Sequence, residues 1–132
     1  MMEKKWIVSG LVIIILAIIL GAFGAHGLKN VTSDEDILAA FDTATKYQFF
    51  QGLGFLIIPF IATRFSISAK AIFWLMIFGT LFFSGSIYGL TYSKIHTGGS
   101  LSKVFGPITP IGGLLMILGW TLLLIQVIRS RN

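Results

Sequence analysis

Four stretches of this chain carry no charged side chain: Trp6 to Ala25, Tyr47 to Ala62, Ala71 to Tyr92 and Thr109 to Ile128. A helix needs about 20 apolar residues to cross about 30 Å of hydrocarbon at 1.5 Å per residue. The first, third and fourth stretches meet that length directly. The second meets it when its polar upstream part, from near Asp34, continues the same helix. The reading is an all-α, polytopic membrane protein: one domain over residues 1–132, a bundle of four transmembrane helices with spans at about 6–25, 42–63, 70–92 and 109–128.

Composition closes the alternatives. Apolar residues make up 55% of the 132 positions and charged residues 11%, whereas a soluble domain carries roughly 25% charged residues. The chain has no cysteine, which removes disulfides and thiolate metal sites. Its net charge of +5 comes from cations at the ends of the apolar runs, with no basic stripe. That pattern reports membrane topology and contact with anionic lipid, and no nucleic-acid partner is expected.

The first run competes with a cleavable signal peptide, because Lys4 and Lys5 precede it and Ala22 to Ala25 is rich in small residues. It is long for such a signal. It also carries Gly10, Ala17, Gly21 and Ala25 within a sector of about 80°, a packing stripe for which a disposable segment has no use. The run is therefore expected to stay. With four spans, one side of the bilayer holds six cations: Lys4, Lys5, Arg64, Lys70, Arg129 and Arg131. The other holds Lys29, Lys94 and Lys103, offset by Asp34, Glu35 and Asp36. The six-cation side, with both termini, is expected to be cytoplasmic.

Lipid is as apolar as leucine, so such helices associate through small residues and interhelical hydrogen bonds. The packing candidates are Gly21, the pair Gly85 and Gly89 in the third helix, and Gly112 and Gly113 in the fourth. Gly85→Leu is expected to disrupt assembly more than Leu81→Ala. Thr80, Ser84 and Tyr88 share one face of the third helix, either as glue or as the lining of a polar crevice.

The second helix is the most polar. Thr32-Ser33-Asp34-Glu35 reads as a capping box. Asp42 and Lys46 lie about 40° apart on the helix wheel, with Gln48 and Gln51 about 120–180° away from them. By depth, Asp42 and Lys46 belong to the outer interface. Gln48 and Gln51 belong to the interior, where an unbonded amide costs several kcal/mol. Gln48, Gln51, Ser84 and Tyr88 form the candidate polar core, with Ser84 or Tyr88 as the expected partners of the glutamines. His26 and His96 fall in outer loops at no spacing that selects a metal, so no metal or cofactor is expected. At residues 106–113, Thr109 and Pro110 read as the cap and first turn of the fourth helix.

Taken together, Gly21-Ala22-Phe23-Gly24-Ala25-His26-Gly27-Leu28, Ala44 with Tyr47-Gln48, Phe83-Ser84-Gly85-Ser86-Ile87-Tyr88, and Ile108-Thr109-Pro110-Ile111-Gly112-Gly113 followed by Gly119-Trp120 resemble the YgdD/YwdK-like family of small bacterial inner-membrane proteins. The resemblance covers nearly the whole chain. It implies four spans in a plasma membrane and carries over no catalytic residue, since the family has no established activity. One departure is Gln51, where the family usually has histidine a turn after Tyr-Gln.

The functional expectation is a non-enzymatic envelope protein that packs with lipid and with a homo-oligomer or another membrane protein. The alternative is a small oligomeric transporter or channel with a polar path between the second and third helices. A lipid-directed enzyme would need a nucleophile–base pair or metal ligands at one depth, and the sequence offers neither.

Overall fold

The computed structural model describes residues 2–131. It consists of four long helices: α1 (Met2–Ala25), α2 (Glu35–Arg64), α3 (Lys70–His96) and α4 (Ser102–Arg129), with a single 3₁₀ turn at Leu28–Asn30 between α1 and α2. Short connections make successive helices antiparallel neighbours: α1 packs on α2, α2 on α3 and α3 on α4. Each helix is longer than the apolar run it contains.

The surface departs from that of a soluble protein. Gln48, Gln51, Thr80 and Ser84 are buried, while Phe60, Leu81, Ile117 and Ile128 are each more than half exposed. An apolar exterior with polar side chains placed inside suits lipid, where backbone and side-chain polar groups must be satisfied inside the protein. Glu3–Asn30, Lys70–His96 and Ser102–Arg129 are long and apolar enough to cross a bilayer. Polar residues dilute α2 below that level. Yet its exposed positions beyond Lys46 include Tyr47, Phe50, Leu53, Ile57 and Phe60, so it too turns an apolar face outward.

Two pairs of glycines bring backbones together. A Cβ on Gly10 of α1 would lie 2.9 Å from the Gly52 carbonyl oxygen of α2. A Cβ on Gly112 of α4 would overlap the backbone of Phe82 and Phe83 in α3, and one on Gly79 would come 2.8 Å from the Met116 amide nitrogen. A Cβ on Gly89 would lie 2.9 Å from the ring of Phe105. Below these contacts Trp6, Phe55, Ile58, Ile72, Met76 and Leu123 form the core. The Trp6 ring lies 5.1 Å from Phe55 and 5.0 Å from Phe73, joining α1 to both α2 and α3.

Several local expectations need correcting. A Cβ on Gly21 would meet nothing within 4 Å, and one on Gly85 only Leu81 of its own helix at 3.7 Å, so neither packs against another helix of this bundle. A Cβ on Gly113 would meet the Phe83 ring at an ordinary 3.7 Å. A G-x-x-x-G spacing marks one helix face, and at Gly85 that face is left open. The cap of α2 is Asp34, whose carboxylate accepts from the amides of Asp36 and Ile37. Thr32 instead accepts from the Asp34 amide. The fourth helix starts at Ser102, not at Thr109, and both Pro107 and Pro110 lie inside it. Membrane helices tolerate proline because neighbours and hydroxyls re-satisfy the freed carbonyls. The turn before α4 is made by Gly98 and Gly99 at φ +66° and +84°, a conformation that favours glycine. The Ser93 carbonyl and hydroxyl then take the Gly99 and Leu101 amides.

Candidate functional site: a polar core shared by four helices

Gln48 sits on the inner face of α2 between α1 and α3. Its Nε2 donates to the Ile13 carbonyl of α1 at 3.0 Å. Its Oε1 accepts from the Tyr88 hydroxyl of α3 at 2.6 Å. One amide thus ties three helices, using a donor and an acceptor that an aliphatic residue lacks. Four residues before Tyr88, the Ser84 hydroxyl donates to the Ala44 carbonyl of α2 at 2.8 Å. The α2–α3 seam is closed by these two bonds. Phe41, one turn before Ala44 in α2, packs against the Tyr88 ring at 5.1 Å.

Gln51, three residues on, faces the other way. Its Oε1 accepts from the indole N–H of Trp120 in α4 at 3.2 Å. It is not joined to Ser84 or Tyr88. The glutamine lines a cleft of about 720 Å³ between α2 and α4, with Thr43, Tyr47, Phe83, Trp120 and Thr121 around it. Sequence reasoning missed Trp120 as a partner because an indole in an apolar run reads as lipid-facing. It also missed the Ser86–Thr109 hydroxyl pair at 2.5 Å, which joins α3 to α4. The signal for that pair was the depth shared by two hydroxyls on adjacent antiparallel helices. The remaining member of the α3 row, Thr80, is buried and its hydroxyl has no partner.

Asp42 and Lys46 form an ion pair at 2.6 Å, with both side chains about 60% exposed. An exposed i,i+4 pair contributes about 0–1 kcal/mol. Accordingly Asp42→Asn is expected to change unfolding free energy in detergent by about 0.5 kcal/mol or less. A loss above about 2 kcal/mol would place this pair in the interior after all. His26 bonds locally to the Ala22 carbonyl and His96 packs on Tyr92. Among the described residues no group of three or more His, Asp or Glu is placed to hold a metal ion.

The core therefore contains neutral amides, hydroxyls, one phenol and one indole, arranged as donors and acceptors across helix seams. A family model described as "Protein of unknown function (DUF423)" matches residues 20–113. The chain belongs to this family. Relatives span almost its entire length. A UPF0382 membrane protein of Staphylococcus epidermidis is 40% identical over 96% of this chain and 97% of its own. One from Staphylococcus saprophyticus is 43% identical over 92% and 95%. The UPF0382 membrane protein YwdK of Bacillus subtilis is 34% identical over 96% and 98%, which agrees with the resemblance read from the four motifs. No solved structure matches. The family matched is one of membrane proteins of unknown function, and every segment that builds the polar core lies within the matched range or, for Ile13 and Trp120, just outside it.

Proposed function

We propose that this is a non-enzymatic plasma-membrane protein with both termini in the cytoplasm, acting by packing against further copies of itself or another envelope protein. The observation that carries this reading is the state of Gln48. Its amide is engaged on both sides, by Ile13 and by Tyr88, so this buried polar group of α2 serves helix association. Orientation rests on the six-to-three distribution of loop cations.

A second reading, the small oligomeric transporter, is favoured by one feature. Gln51 lines the α2–α4 cleft together with Thr43, Tyr47 and Thr121, so a polar path would run there and be completed by a neighbouring subunit.

Single cysteines separate the two readings, since the chain has none of its own. In intact cells, Asp42→Cys and Lys46→Cys are expected to react readily with a membrane-impermeant maleimide. Gln48→Cys and Gln51→Cys are expected to stay protected. Rapid reaction at Gln51→Cys would put water in the cleft and favour transport. Reaction of Asp42→Cys only after permeabilisation would invert the topology.

A further inference from the structure

α1 and α3 run parallel, since each is antiparallel to α2. Between their first two turns lies a cavity of about 650 Å³ with Lys4, Lys5 and Trp74 at its mouth and Val8, Ser9 and Ile77 further along. A second cavity of about 270 Å³ continues between the same helices, past Leu16, Thr80 and Leu81 to Gly85, with Gln48 of α2 and Ser84 at its back. Ile77 lines both, so they are consecutive sections of one furrow. From Trp74 to Gly85 the helix rises about 17 Å, close to the hydrocarbon depth of one leaflet, about 15 Å.

The mouth is cationic and uncompensated. Lys4 and Lys5 are exposed and enter no ion pair among the described residues. The nearest acid, Glu3, turns to the Thr63 hydroxyl on α2, away from the furrow. Lys70 stands one helical turn before Trp74 on the same side of α3. Trp74, half exposed, sits where an interfacial indole is expected. The far end is kept open by Gly85, where a Cβ would meet only Leu81 of its own helix, at 3.7 Å. That absence of contact makes no sense for a packing glycine and good sense for the wall of a groove.

We propose that this furrow is a binding site for one anionic phospholipid, with Lys4 and Lys5 at the phosphate and one acyl chain lying along Ile77 and Leu81 toward Gly85. A basic mouth above a largely apolar channel matches the two halves of such a lipid in charge and in length. Its inner section borders Gln48, but the lipid reading needs neither an oligomer nor a transport path.

The test is native mass spectrometry of the full chain in detergent, titrated with dioleoylphosphatidylglycerol and, separately, dioleoylphosphatidylcholine. Phosphatidylglycerol is expected to be retained about tenfold better. The double variant Lys4→Ala/Lys5→Ala should erase that preference, while Lys29→Ala/Lys103→Ala, with the same loss of charge, should keep it. Gly85→Leu should reduce retention of both lipids several-fold without lowering the melting temperature, and millimolar inorganic phosphate should displace neither. Equal loss in both lysine doubles would reduce the effect to net charge and overturn the site, as would displacement by phosphate or unchanged retention in Gly85→Leu. If the lysine double fails to insert, the wild-type preference and Gly85→Leu decide together.

Discussion

Gly112→Ala is expected to destabilise the protein by about 3 kcal/mol or more, a large effect for one methyl group. The added Cβ would overlap the backbone of Phe82 and Phe83, which, unlike a flexible side chain, cannot swing aside. α3 and α4 would have to separate, and the separation would loosen the Gly79–Met116 contact and stretch the Ser86–Thr109 bond. Gly106→Ala in the same helix is the control. A Cβ there meets nothing within 4 Å, so replacing a helical glycine should be neutral or stabilising by up to about 1 kcal/mol. Gly85→Leu should likewise leave stability nearly unchanged, the reverse of the sequence-based expectation. Reversible unfolding in mixed detergent gives all three values. Equal losses at Gly112 and Gly106 would mean that helix propensity, not close approach, governs these sites.

What the sequence discloses follows from which forces it encodes locally. The apolar runs fix helices and membrane residence because the bilayer demands length and uniformity. Depth and angular position on α2 are also legible, and the helix wheel alone separates Asp42 and Lys46 from Gln48 and Gln51. Partner identity is less so. The polar neighbours of Gln48 include the Ile13 carbonyl, and that of Ser84 is the Ala44 carbonyl; every residue carries such an acceptor, so no residue type announces it. Glycine spacing is equally ambiguous, because a missing side chain marks a close neighbour at Gly112 and an open furrow at Gly85. Gly52 and Gly79 stand in no G-x-x-x-G pair, and each acts through a glycine or backbone on another helix. Proline misleads at Pro107 and Pro110, where rules learned in water end a helix that lipid and the adjacent α3 allow to continue.

The strongest side-chain coupling in the bundle is expected between Gln48 and Tyr88. Gln48→Leu would leave the phenolic hydroxyl without its acceptor at a buried seam, and Tyr88→Phe would leave the amide oxygen without its donor. Each single change is expected to cost about 1–2 kcal/mol, the range for stranding a buried polar group. The double variant Gln48→Leu/Tyr88→Phe removes both partners, so its loss should fall below the sum by about 1 kcal/mol. That coupling lies within the upper part of the range for interhelical bonds in membranes, whose mean is about 0.6 kcal/mol. It should exceed that of the exposed Asp42–Lys46 pair, although both bonds measure 2.6 Å. Distance is the same; what differs is the alternative partner. Water replaces Asp42 for Lys46, whereas nothing in hydrocarbon replaces Gln48 for Tyr88. Additive losses at Gln48 and Tyr88 would show that the phenol finds another acceptor. The amide of Gln48 would then hold α2 to α1 alone, and the α2–α3 seam would rest on Ser84 and its bond to Ala44.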